Sequence, residues 1–127
     1  MQRVNGVGGI FFKAKDPKAL YEWYRVHLGI DSAPDGSGAI WRDSDHPESS
    51  GIVVWAIFPH DTKYFGNAER PFMVNFRVDN LDELLKTLRA EGVQVEDKVE
   101  NYDYGKFGWI TDPEGNRVEL WELPKES

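Results

Sequence analysis

Two stretches of this chain, "GGIFFKAKDPKALYEWYRVHLGI" and "FMVNFRVDNLDELLKTLRAEGV", share one layout, and that repetition constrains the fold more than any other feature. Each reads as an alternating strand, a capping residue, an amphipathic helix and a terminating glycine. In the first copy Asp16 suits the N-cap and Pro17 the first helical position, where its missing N–H costs nothing. Leu20, Trp23, Tyr24 and Leu28 follow at helical spacing, and Gly29 ends the run. In the second copy Asn80 caps and Glu83 suits a capping box, while Leu81, Leu84, Leu85 and Leu88 form the stripe that Gly92 ends.

About three further strands are expected after each helix. The second copy supplies "VQVEDKVE", "GKFGWIT" and "RVELWEL", with a tight "PEGN" turn before the last. The first reads more loosely as "AIWR", a polar loop through "DSDHPESS", and "GIVVWAIF". Each copy is thus a βαβββ module. The chain of 127 residues suits one α+β domain of two tandem modules, over residues 5–58 and 71–124, with "PHDTKYFGNAERP" as the linker through 59–70.

Composition narrows the function. A hydrophobic share of 40% supports a packed core, and no apolar run approaches the roughly 18 residues needed to span a bilayer. Zero cysteines exclude disulfides, thiolate metal sites and thiol nucleophiles. The opening "MQRVNGVGG" has no apolar signal core, so a cytoplasmic protein is the simplest expectation. A net charge of −7 argues against nucleic acid and is compatible with a cationic or amphipathic guest. No phosphate loop, G-x-G-x-x-G, H-E-x-x-H or G-x-S-x-G occurs.

The tandem modules, with "DPKALYEWYRVHLGI" early and "DPEGNRVELWE" late, resemble the vicinal oxygen chelate superfamily of glyoxalase I, bleomycin-resistance proteins and extradiol dioxygenases. The resemblance covers nearly the whole chain and implies a single domain with a cupped mixed sheet. One fold of this kind hosts many chemistries. In metal-dependent relatives four side chains enter the cup, two from each module. They lie seven residues before the helix cap and near the middle of the last strand. Here those positions hold Gly9, Met73, Glu119 and, by the repeat, Val53. A divalent cation needs about three or four oxygen or nitrogen donors, and one carboxylate does not make that site. No metal ligand set and no cofactor is therefore expected.

Strand alternation tests the same point independently. Val74, Phe76 and Val78 share an apolar face suited to pack under the helix, leaving Met73, Asn75 and Arg77 on the other. Likewise Ile10, Phe12 and Ala14 belong under the first helix, with Gly9, Phe11 and Lys13 opposite. On the last strand Val118 and Leu120 go to the helix layer, leaving Glu119 and Trp121 in the cup. Phe107 and Trp109 share a face that the sequence does not orient. The expected cup is a polar cluster of Glu119, Asn75, Arg77 and Lys13 among Phe11, Met73, Val53, Trp55 and Trp121, a composition suited to a small molecule.

A Glu inside an apolar strand needs compensation for its charge. Glu119 has three readings: a salt bridge or hydrogen bond, ligand recognition or acid–base work, and metal ligation. Tyr104, in the glycine-rich "YDYGKFGW" stretch, could close over a ligand or sit in a surface turn. His27 suits a helix end, His46 a solvated loop, and His60 with Asp61 the cup mouth.

Two functions follow. One is a small-molecule-binding protein in the manner of bleomycin-resistance relatives, held as a homodimer because single-domain relatives pair to complete each cup. The other is a glyoxalase I-type lyase or isomerase, in which Glu119 is one ligand of a divalent metal and His60 or Asp61 stands in for the missing ones. A blander possibility is a cup filled by its own aromatics, serving as an interaction module.

Overall fold

The computed structural model describes residues 3–42, 52–66 and 69–125. The polar stretch 43–50, with His46, lies outside them. The element order is β1 (Val4–Ala14), α1 (Pro17–Leu28), β2 (Ala39–Arg42), β3 (Ile52–Pro59), β4 (Phe72–Val78), α2 (Leu81–Ala90), β5 (Gln94–Val95), β6 (Glu100–Tyr102), β7 (Gly105–Thr111) and β8 (Arg117–Glu122). The expected α+β plan of two strand–helix–strand modules is present. Its strands pair in mixed fashion, with β1/β3 and β4/β8 parallel and the other hairpins antiparallel.

The chain divides into two compact units, Gly9–Met73 and Val74–Ser127 with Met1–Gly8. The division falls inside β1, so the opening residues of the first module belong to the second unit. Strand counts differ between the copies. Among the described residues the first unit has two strands after its helix rather than three. In the second unit "VQVEDKVE" splits into β5 and the start of β6, each paired to a different stretch of β7. Asp97 and Lys98 lie between them, and such residues break a strand more readily than they extend one.

In the Gly9–Met73 unit, the Asp16 side chain accepts from the Ala19 amide at 3.1 Å, and Gly29 closes α1 in the left-handed region at φ 69°. The face that α1 turns to the sheet differs from the expected stripe. Tyr24 packs on Trp55 with ring centroids 4.9 Å apart, and the Tyr21 hydroxyl accepts from the Ile57 amide at 2.8 Å. Trp23 and Leu28 are instead exposed. A polar-tipped Tyr that meets a backbone N–H wins the inner position that spacing alone assigns to Trp23.

In the second unit the sequence stripe is the observed one. Leu81, Leu84 and Leu85 of α2 are buried against Val78 and Leu120, with Phe76 packed alongside. Asn80 accepts from the Glu83 amide at 3.1 Å, the forward half of the expected capping box. The Leu81 amide is taken by Glu122 of β8 at 2.7 Å, so the start of the helix is fastened to the last strand. Helix capping here is tertiary as well as local. Glu91 is the C-cap, and Gly92 follows it at φ 83°.

Leu85→Ala should lower the unfolding free energy by roughly 2–5 kcal/mol, as a buried cavity does. Asn80→Ala should lower it by about 1 kcal/mol, the worth of a cap. Urea unfolding of the two variants checks both values.

Candidate functional site

The second unit carries a polar cluster on the face of its sheet opposite α2. Parallel pairing sets Asn75 beside Glu119 and Arg77 beside Trp121, while the β7–β8 hairpin sets Trp109 opposite Glu119 and Phe107 opposite Trp121. Side chains paired across strands point to one face, so all six meet there. Glu119 and Asn75 are each only 1% exposed. The Asn75 amide nitrogen donates to Glu119 Oε2 at 2.8 Å, and the Trp109 indole donates to Oε1 at 3.2 Å. Both oxygens of the carboxylate thus accept from fixed N–H groups, the condition for keeping a charge out of water.

A second layer holds Trp109 in place. The Arg117 guanidinium lies 4.8 Å from its ring and pairs with Glu96 at 2.7 Å. Beside the carboxylate runs an aromatic path. Trp121 stacks on Phe107 with centroids 5.6 Å apart and donates its indole N–H to the Tyr104 carbonyl at 2.8 Å. Phe107 touches Tyr104, which stacks on Tyr102 at 5.1 Å with both rings about half exposed. Tyr102 donates to Glu100, which holds that phenol above its ordinary pKa, while Lys98 first and Tyr102 second pull the Glu100 carboxyl down. "YDYGKFGW" is thus the β6–β7 hairpin, with Tyr104 at its tip.

Arg77 lies along the opening residues of β1. A Cβ added at Gly6 would stand 2.1 Å from an Arg77 terminal nitrogen, and one at Gly8 would stand 2.9 Å from the arginine stem and 2.2 Å from Asn75 Oδ1. Two glycines of "VNGVGG" therefore make the track in which Arg77 rests. Asn75 Oδ1 and Arg77 Nε are both buried there without a hydrogen-bond partner. Among the described residues Arg77 makes no ion pair.

The sequence-selected residues fall into separate groups. Glu119, Asn75, Arg77, Trp121 and Tyr104 are in the second unit. Phe11 and Lys13 are in the first, where Phe11 packs on Phe58 at 5.6 Å and the Lys13 ammonium sits 5.6 Å from the Phe65 ring. Trp55 requires correction. It lies on the helix face, 4.9 Å from Tyr24 and 5.8 Å from Phe12. Pairing aligns Phe11 with Ala56, just as Asn75 aligns with Glu119, and Phe11 and Asn75 each stand five residues before their cap. The counterpart of Glu119 is therefore Ala56 and not Val53, three residues away, and an odd offset turns Trp55 to the other side.

Trp109 is the site residue that sequence reasoning leaves unplaced. The "DPEGN" turn carries the missing signal, because fixing Thr111 opposite Arg117 puts Trp109 opposite Glu119.

The residues present do not fit the divalent metal that the resemblance implies. The positions in question hold Gly9, Ala56, Met73 and Glu119, of which one is a donor and that one already accepts two hydrogen bonds. His60 and Asp61 are exposed in the turn after β3. Among the described residues no three His, Cys, Asp or Glu side chains gather.

A family model described as a glyoxalase-like domain matches residues 9–121. Among solved structures, methylmalonyl-CoA epimerase from Mycobacterium tuberculosis is similar at 22% identity and TM-score 0.66, over 98% of this chain and 92% of that one. A Streptomyces coelicolor methylmalonyl-CoA epimerase variant in complex with 2-nitronate-propionyl-CoA matches at 17% and TM-score 0.70, over 98% and 99%. A structure from Legionella pneumophila described as an NAD-dependent benzaldehyde dehydrogenase matches at 17% and TM-score 0.59, over 91% and 98%. These likenesses establish the fold. No curated protein sequence matches the chain.

Gly8→Ala should cost about 1–3 kcal/mol, because its methyl meets packed Asn75 and Trp121. Gly6→Ala should stay within about 0.5 kcal/mol, because it meets only the mobile end of Arg77. Trp109→Phe should cost about 1–3 kcal/mol by stripping a donor from a buried carboxylate. Urea midpoints of the three variants test this order.

Proposed function

The chain belongs to the glyoxalase-like domain family, within the vicinal oxygen chelate superfamily, and from that premise we propose that it is a small-molecule-binding member that works without the family's metal. The observation that carries this reading is the second unit's cluster. Glu119 is held by Asn75 and Trp109, while Asn75 Oδ1 and Arg77 Nε are buried with no partner of their own. Buried polar atoms without partners cost roughly 1–3 kcal/mol each and mark places where something else completes the bonding. Aromatic walls of Trp121 and Phe107 beside such groups have the composition of a binding site.

In this reading Glu119 is a positioning residue. It orients Asn75 by accepting from the amide nitrogen, so that the amide oxygen faces away as an acceptor. Arg77 supplies the charge, and Trp121, Phe107 and Tyr104 supply apolar contact. The glyoxalase-type lyase reading needs a metal that these donors do not fit, and no step is derived through one. The binding role is that of bleomycin-resistance relatives.

A homodimer in the cytoplasm belongs to the same proposal. The exposed Trp23, Val26 and Leu28 of α1 support an apolar contact between copies. No helix among the described residues is long and apolar enough to cross a membrane.

Tag-free protein should contain far less than one equivalent of transition metal per chain, and nickel, zinc, manganese, iron and magnesium salts should leave its Tm unchanged. One bound equivalent that disappears in Glu119→Ala would overturn the metal-free reading. Light scattering should give twice the 14.6 kDa chain mass.

A further inference from the structure

We infer that the guest of this cluster is an anion carrying a planar apolar group, in the manner of an aromatic carboxylate, and that Arg77 leaves its glycine track to bind it. The inference rests on the small-molecule reading and fixes the sign of the guest's charge. A net charge of −7 suggests a cationic guest held by Glu119. The local geometry points the other way. Glu119 is 1% exposed, and its two oxygens accept from Asn75 and Trp109, so a cation would have to displace internal bonds to reach it.

The uncommitted charge is Arg77. Its stem crosses Gly8 and its guanidinium crosses Gly6, positions that any larger residue would obstruct. In that pose Nε is buried and unpartnered, and the group makes no ion pair among the described residues. A guanidinium held this way forfeits its strongest interaction, the paired N–H···O bonds to a carboxylate. An anion would restore them.

The planar part follows from the neighbours. Arg77 is register partner to Trp121, and the Trp121–Phe107 stack leads outward to Tyr104, which is 59% exposed. Trp121 and Phe107 are only 6% and 8% exposed, so a ring attached to the anion would lie on the stacked Tyr104 and Tyr102 at the open end of this path, 59% and 48% exposed.

Titration calorimetry with 2-naphthoate, its isosteric amide 2-naphthamide, cyclohexanecarboxylate and 2-naphthylmethylamine tests the assignment. Naphthoate should bind at least about tenfold more tightly than the amide and than cyclohexanecarboxylate, as a charge-assisted pair and a stacked ring require. Arg77→Gln should abolish the preference for the acid over the amide. Gly6→Ala, which dislodges the arginine without removing it, should keep that preference. Equal binding of acid and amide, or preference for the amine, would overturn the anion while leaving small-molecule binding in place. No binding of any of the four, together with no stabilising hit in a wider thermal-shift library of neutral and charged compounds, would overturn both.

Discussion

A carboxylate with almost no contact with water sits in the middle of β8, and much of the second unit is arranged around keeping it there. Glu119 is tolerated because two N–H groups from neighbouring strands meet its two oxygens. That requirement fixes several things together. Asn75 must stand beside it on β4, and its amide must turn its nitrogen toward the acid. Trp109 must stand across from it on β7, so the hairpin register cannot slip. Arg117 over the indole and Glu96 on Arg117 extend the constraint toward the short β5 strand.

The cluster shows why one fold supports unrelated chemistries. Function depends on which side chains stand on the strands, not on the backbone plan itself. Of the positions that the family resemblance matches to metal ligands, Gly9, Ala56 and Met73 carry no donor side chain, and Glu119 is committed internally. Glycine at positions 6 and 8 gives room for Arg77. The same fold that elsewhere gathers donors around an ion here sets an arginine beside a tryptophan.

Much of this was legible from residue order. Period-two alternation put Asn75 and Arg77 on the face of Glu119 and Trp121, and the leucine stripe of α2 read true because its burial is set by spacing alone. Trp55 is misplaced by matching "IVVW" to "VELW", which sets Trp55 against Trp121, whereas strand pairing shifts the match by three residues and an odd shift changes the face. Trp109 was left unoriented because its face depends on hairpin register, which the turn sets at a distance. Tyr21 displaced Trp23 from the inner face of α1 because its hydroxyl finds the Ile57 amide, a partner that no local pattern reveals. The resting place of Arg77 was equally hidden, since it depends on glycines some seventy residues away in sequence.

The central claim is that Glu119 is bonded within the protein and unavailable to a metal, and the Trp109 indole N–H reports on it directly. In a two-dimensional NMR spectrum of ¹⁵N-labelled protein, that indole proton should exchange with solvent only slowly. Its signal should survive an equivalent of Mn²⁺. A fast-exchanging indole, or one whose signal vanishes at stoichiometric Mn²⁺ and returns in Glu119→Gln, would contradict the account.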